Sequence, residues 1–184
     1  DGPQEARNAL FDHLAARDVA SVYFSNDIDG TDARWADATG TPETGGLEPR
    51  FVIDGFRQAM FDLTTLTAYL RAEGATSVGA IGMSLGGYST ALLATVDDGL
   101  DFAMPLIPIA SFADHVRDNG HLSGTATERA SLYEAFDVVH AVVDPLRREV
   151  LVPPEGRIVV AGREDQVTPP AHAERIASHF GVPV

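Results

Sequence analysis

The sequence contains no cysteine and no lysine, and each absence narrows the chemistry open to the chain. Without cysteine there can be no disulfide framework, no thiolate metal site and no cysteine nucleophile. All 13 basic residues are arginine and stand against 27 acidic ones, so the formal net charge is −14. Such a surface repels phosphate backbones and anionic bilayers. We therefore expect no nucleic acid as a partner.

Long hydrophobic runs are also missing. No apolar stretch approaches the roughly 18 to 20 residues of a membrane helix, and no basic segment followed by an apolar one marks a signal peptide. We expect a cytoplasmic protein without a membrane span.

The use of arginine alone, with abundant alanine and aspartate, is typical of a high-GC or salt-adapted bacterium. Because Asp1 lies in a helical pattern and Val184 in a starting strand, we expect further sequence at both ends.

The residues that are present alternate between strand and helix patterns. With 184 residues, 45% of them hydrophobic, and no internal repeat or linker, the chain predicts one domain. Strands that alternate with helices predict an α/β fold, a mostly parallel sheet flanked by helices. Apolar spacing predicts helices over 4–17, 51–73, 85–96 and 170–180, with Gly74 ending the second, strands over 19–24, 77–83, 102–110 and 157–161, and a long surface loop over 26–50.

A pentapeptide between the 77–83 strand and the next helix fits the pattern G-x-S-x-G. It runs from Gly82 to Gly86 with Ser84 at its centre. A strand followed by a helix of small residues is the setting of a nucleophile elbow, a sharp turn that exposes the serine hydroxyl. We expect Gly82 and Gly86 to permit close approach of neighbouring segments, and the N–H of Leu85 to stabilise an oxyanion. The alternative is a glycine-rich turn whose serine only caps the helix.

A serine nucleophile needs a base, and the base needs an acid that orients it. The candidate acid is Asp165, in the loop after strand 157–161, because the carboxyl edge of a parallel sheet is where such folds place their sites. Its position after the strand favours Asp165 over Glu164. Asp114, beyond strand 102–110, is the second candidate, and we expect it to be a solvated helix residue. The alternative for Asp165 is an acidic residue that merely precedes a helix.

This succession of elements resembles the core of an α/β-hydrolase over nearly the whole chain. The most specific parts are the elbow at 82–87 and the G-x-x-D-x-x-x-P stretch at 162–169. The resemblance implies that Ser84 attacks an acyl carbonyl, that the N–H of Leu85 joins the oxyanion hole, and that Asp165 orients a histidine. It implies a serine hydrolase of a small-molecule acyl substrate, most simply a carboxylic ester.

The resemblance is incomplete at the catalytic histidine. Members of the family carry it after one further strand and carry a second oxyanion donor before the first helix, and we expect both to lie beyond the ends of this chain. An alternative base could come from residues 111–155, which the resemblance makes a lid-like insert. The histidines of that insert are His115, His121 and His140. The other three are expected to be surface or packing residues of helices: His13, His172 and His179.

Other motifs add no further site. Residues 27–32 have the alternating aspartates of a calcium loop, but the glycine is misplaced and position twelve is Ala38 rather than glutamate, so we expect a turn. No metalloprotease, phosphate-loop or dinucleotide motif occurs, and we expect neither a metal nor a cofactor. The elbow does not choose among esters, peptides and thioesters, and a non-catalytic binding protein of the same fold remains an alternative.

Overall fold

A computed structural model of the protein describes Asp12 and residues 49–184. Apart from Asp12, the described residues therefore start at the second predicted helix. Four predictions fall outside the described residues: the helix over 4–17 except Asp12, the strand over 19–24, the turn over 27–32, and all but the last two residues of the loop over 26–50.

Helix α1 (Pro49–Ala72) begins two residues before the predicted start. Proline suits the first turn of a helix, because its φ is already helical and its missing N–H would have no partner there. The stripe that contains Phe56 and Met60 is buried in the core. As predicted, Gly74 ends the helix: its φ is 94°, and its N–H donates to the Arg71 carbonyl at 3.1 Å.

The sheet is parallel, as the alternation of strands and helices predicts. Strand β1 (Gly79–Met83) pairs with β2 (Phe102–Leu106), with Met83 opposite Leu106 at the carboxyl end. Residues 157–161 run parallel to β2 on its other side, joined to it at the pairs Ala103–Arg157 and Leu106–Val160. The carboxyl ends of the three segments therefore meet at one edge.

Strand β2 is shorter than predicted, because the chain turns directly after Leu106. Ile107 has a φ of 40°, outside the extended range, while its N–H still donates to the Val160 carbonyl at 2.7 Å. Pro105 is tolerated inside the strand and pairs with Gly82 in the register. The predicted strand over 102–110 therefore ends four residues early.

Helix α2 (Leu85–Leu93) follows β1 after a single residue, Ser84, and packs on the sheet. It ends before the predicted position 96, because its last turn tightens: the N–H of Thr95 donates to the Leu92 carbonyl at 3.0 Å. Tyr88, wholly buried, donates its hydroxyl to the carbonyl of Val143 at 2.7 Å.

The predicted insert over 111–155 contains two helices and short 3₁₀ turns. Helix α3 (Phe112–Asp118) is capped by Ser111, and helix α4 (Ala126–His140) starts with a capping box. Helix α4 turns Tyr133 and Phe136 toward the body, while its opposite face is exposed. The 3₁₀ turns are Ala141–Val143, Pro145–Arg147 and Pro154–Gly156.

Helix α5 (Pro170–Phe180) matches its predicted bounds. It packs His172, Ile176 and Phe180 into the core. Parallel strands flanked by helices confirm the predicted α/β fold. Within residues 49–184, no helix has both the length and the apolarity needed to cross a membrane.

Candidate active site

Ser84 occupies the one-residue turn between β1 and α2. Its φ is 56° and its ψ −116°, a backbone conformation that costs a non-glycine residue about 1–3 kcal/mol and is concentrated at functional sites. Its N–H donates to the Leu106 carbonyl of the neighbouring strand at 2.9 Å. Its side chain forms no capping hydrogen bond to helix α2. Ser84 therefore occupies the N-cap position without the side-chain cap that the alternative expects, and its hydroxyl is not committed to the helix.

The two glycines of the elbow differ in their surroundings. A Cβ at Gly82 would collide with the Gly86 carbonyl and lie 2.5 Å from the Thr90 Oγ1, so only glycine fits there. A Cβ at Gly86 would meet no described atom within 4 Å, so the steric prediction is right for Gly82 and wrong for Gly86. The following residue, Gly87, is the second close approach, since a Cβ there would lie 2.7 Å from the Leu106 carbonyl oxygen.

Leu85 is the first residue of helix α2, as the elbow pattern predicts. The first N–H groups of a helix have no intrahelical acceptor, and the positive end of the helix dipole lies among them. Helix α2 has no acidic residue in its first turn and no side-chain cap. The N–H of Leu85 therefore lies beside Ser84 in a local field that favours negative charge.

Asp165 lies in the loop between the 157–161 segment and helix α5, and its carboxylate is held by that loop. The Oδ1 atom accepts the N–H groups of Val167 and Thr168, both at 2.9 Å, and Oδ2 accepts the Thr168 hydroxyl at 2.8 Å. The backbone hydrogen bond from Thr168 is the main cause of a lowered pKa for Asp165. The group is therefore a fixed, ionised carboxylate, and Oδ2 retains acceptor capacity. Glu164 is exposed.

Ser84 and Asp165 lie at the same edge of the sheet. Ser84 directly follows β1, and Asp165 follows the 157–161 segment, with β2 running between these two segments. The end of β2 contacts both neighbours: the Leu106 carbonyl accepts the Ser84 N–H, and Ile107 donates its N–H to Val160. The structure thus brings the predicted nucleophile and acid to the ends of segments that flank the same strand.

Asp114 is buried rather than solvated, which corrects the prediction made for it. Only 3% of the residue is exposed, and its carboxylate binds the Ser111 hydroxyl at 2.7 Å, the Tyr133 hydroxyl at 3.0 Å and the guanidinium of Arg175. Burial alone would raise the pKa of Asp114, but these hydrogen bonds outweigh it and lower the pKa to about 2. The side chain is occupied in joining three helices.

The histidines of the insert make local contacts. The His140 ring stacks on Phe136, with centroids 4.0 Å apart, and its Nδ1 lies 2.9 Å from the Phe136 carbonyl oxygen. The Nδ1 of His115 lies 3.1 Å from the Asn119 side-chain nitrogen. His121 is exposed. Within residues 49–184, no hydrogen bond joins an imidazole to Ser84 or Asp165.

The two described histidines outside the insert are packing and surface residues, as predicted. His172 is only 2% exposed, and its Nδ1 accepts the Ala110 N–H at 3.1 Å. His179 is exposed and contacts the carbonyl oxygen of Arg148 at 2.7 Å. His13 lies outside the described residues.

Two features of the edge were missed at the level of sequence. Gly87 is visible in the sequence as a third glycine of the elbow, and its close packing against Leu106 could have been proposed from that. The turn at Ile107 could not be predicted from the local sequence, because isoleucine disfavours a positive φ.

The described cavity beside the elbow, about 130 Å³, is lined by Gly82 and Gly86 but not by Ser84. Among the described residues, no cluster of three or more histidine, aspartate or glutamate side chains could hold a metal ion.

Comparison with known proteins supports the fold. An acetyl xylan esterase from Paenibacillus sp. R4 superimposes with a TM-score of 0.50 over 70% of this chain and 44% of its own, at 17% identity. A puromycin hydrolase variant superimposes with a TM-score of 0.47 over 66% of this chain and 19% of its own, at 20% identity. The first likeness supports the α/β fold.

Sequence comparisons find two kinds of similarity. The uncharacterized proteins MT2702 and Rv2627c of Mycobacterium tuberculosis, strains CDC 1551 and H37Rv, are each 30% identical over 133 residues, 71% of this chain. The matched part covers 32% of those proteins, so this chain spans about a third of their length. The arginase family model matches residues 1–80, a stretch that ends before Ser84 and lies mostly outside the described residues.

Proposed function

We propose that the protein is a serine hydrolase of acyl compounds, with a carboxylic ester as its simplest substrate. The observation that carries the proposal is the geometry of Ser84: a strained, one-residue turn that leaves its hydroxyl free of the helix while the helix amino end lies beside it. A structural turn at this place would be served better by glycine, which adopts a positive φ without cost. Backbone strain at a residue with a nucleophilic side chain therefore favours a catalytic role for that residue.

In the proposed reaction, the Ser84 Oγ forms a bond to the acyl carbon while its proton passes to a histidine imidazole. The tetrahedral oxyanion accepts a hydrogen bond from the N–H of Leu85. Collapse breaks the bond to the leaving alcohol, which takes the proton from the imidazole, and an acyl-enzyme remains. Water then attacks the acyl carbon with the same proton transfers, releasing the carboxylic acid and restoring Ser84.

Asp165 orients the imidazole and stabilises its positive charge. Its loop supports that role, because Val167 and Thr168 fix the carboxylate and keep it ionised without saturating Oδ2. Asp114 lacks such freedom, since hydroxyl and guanidinium groups surround it. The insert over 111–155 lies after the end of β2, and we propose that it shapes the substrate site as a lid.

The test is covalent labelling of the full-length protein with a fluorophosphonate, followed by intact mass and hydrolysis of p-nitrophenyl acetate. The Ser84→Ala variant should lose both labelling and turnover while its thermal unfolding midpoint stays within a few degrees of the wild type. The matched control is Ser89→Ala, which removes a hydroxyl that, within residues 49–184, bonds the Leu85 carbonyl of the same helix at 3.0 Å. Labelling that persists in Ser84→Ala, or a wild type that is neither labelled nor active, would overturn the proposal.

A further inference from the structure

Ile107 shares the unusual backbone conformation of the proposed nucleophile. Ser84 and Ile107 are the described non-glycine residues with positive φ, at 56° and 40°. They are also neighbours across the sheet, since each directly follows one member of the register pair Met83–Leu106. Isoleucine is branched at Cβ and tolerates this conformation poorly. The conformation is therefore imposed by the surroundings of Ile107 rather than by local preference.

The backbone around Ile107 connects the elbow with the third segment of the sheet. On one side, the Leu106 carbonyl accepts the Ser84 N–H at 2.9 Å. On the other side, the Ile107 N–H donates to the Val160 carbonyl at 2.7 Å. The peptide group between Leu106 and Ile107 thus bonds both neighbours, with its carbonyl to the elbow and its N–H to the third segment, and the chain turns directly after it. The residues that follow it then pass close under Gly87, where a Cβ would lie 3.1 Å from the Cα of Pro108.

The side chain of Ile107 lies against the base of the loop that holds Asp165. The Ile107 Cγ2 is 3.4 Å from the position that a Cβ on Gly162 would occupy, and that same position is 3.2 Å from the Cβ of Asp165. Gly162 opens the loop directly after the 157–161 segment. One methyl group of Ile107 thus lies near Gly162, where the loop leaves the sheet, and the open side of that glycine faces both Ile107 and Asp165.

We propose that Ile107 is a positioning residue of the active site: the peptide group that it shares with Leu106 bonds the Ser84 elbow, and its Cγ2 methyl supports the start of the Asp165 loop. The proposal rests on the proposed function, because it assigns Ser84 and Asp165 their catalytic roles. Glycine at position 107 would adopt the same turn without strain but would leave the base of the acid loop unsupported. The isoleucine side chain therefore sets the separation of nucleophile and acid.

The experiment compares kcat and KM for p-nitrophenyl acetate, together with thermal unfolding, in three variants of the full-length protein. Ile107→Gly should lower kcat about 10- to 100-fold, since small misplacements of catalytic groups have effects of that order. Its KM should change less than about threefold, and its unfolding midpoint should not fall in parallel with the activity. Ile107→Leu keeps the number of carbon atoms but moves the methyl away from Cβ, and it should show a similar loss. Ile107→Val retains Cγ2 and should recover kcat to within about threefold.

The matched control is Ile158→Ala, which truncates an isoleucine of the neighbouring 157–161 segment, 45% exposed and away from the carboxyl edge. It should leave kcat unchanged. If Ile107→Gly fails to fold, Ile107→Leu and Ile107→Val decide between a specific methyl contact and general packing. Equal kcat in Ile107→Leu, Ile107→Val and wild type would overturn the positioning role while leaving the hydrolase intact. A wild type without Ser84-dependent turnover would overturn both.

Discussion

At the scale of single residues, the elbow shows how close packing and backbone strain are combined. Helix α2 starts only one residue after β1, so its first turn lies against the end of the strand. Gly82 makes that contact possible, because its missing side chain leaves room for the Gly86 carbonyl. The strain is concentrated at Ser84, whose N–H is anchored to Leu106 of the neighbouring strand. Ser84, the proposed nucleophile, is held by its backbone, and its side chain is not committed to helix α2.

The different surroundings of Gly82 and Gly86 give a stability prediction. Gly82→Ala forces a Cβ into the Gly86 carbonyl and should lower the free energy of unfolding by about 1–3 kcal/mol or more. Gly86→Ala adds a Cβ in open space within a helix and should leave stability unchanged or raise it by up to about 1 kcal/mol. Urea unfolding of both variants measures the difference. Equal losses in the two would mean that the close approach at Gly82 does not limit the elbow.

At the scale of elements, the sequence predicts those features that depend on local pattern and misses those set by distant partners. The bounds of α5 and the end of α1 at Gly74 follow from proline, glycine and apolar spacing. The strand over 102–110 looks uniformly apolar, yet it ends at Leu106 because Ile107 turns toward neighbours that are remote in sequence. Asp114 looks like a surface helix residue, and only the folding of α4 and α5 against α3 buries it.

Substitutions of Asp165 and Asp114 should therefore affect different properties, the first activity and the second stability. Asp165→Asn keeps the loop but removes the charge that, in the proposed mechanism, orients a histidine imidazole, so it should lower kcat about 10³- to 10⁴-fold with little loss of stability. Asp114→Asn weakens the contacts with Arg175 and Tyr133 and should lower the free energy of unfolding by about 1–3 kcal/mol, with kcat per folded molecule within about threefold of the wild type. Steady-state kinetics and urea unfolding separate the two effects. The reverse pattern would assign the acid to Asp114.

At the scale of the whole molecule, a strongly acidic surface surrounds a core that contains neutral histidines. His172 is buried, and its Nδ1 accepts the Ala110 N–H, which requires that nitrogen to be unprotonated. Its Nε2 lies 3.6 Å from the Asp118 carboxylate, and Asp114, Arg117 and Arg175 are the other charged groups near it. Burial is the main cause of a lowered pKa at His172, as it is at His115 and His140. The buried rings of His140 and His172 are part of the core only in their neutral form.

The folded protein should therefore lose stability as the pH falls below the ordinary histidine pKa of about 6.5. In that range the unfolded chain binds protons that the folded state excludes, and each such histidine changes the free energy of unfolding by up to about 1.4 kcal/mol per pH unit. The free energy of unfolding that each neutral histidine contributes is fully present above pH 6.5 and is lost as the pH falls through the lowered pKa. His172→Asn, which keeps an acceptor near the Ala110 N–H, should flatten this slope, whereas Gly86→Ala should keep it. Urea unfolding between pH 7.5 and 5.5 measures both, and a slope in His172→Asn equal to that of the wild type would show that His172 does not carry the pH dependence.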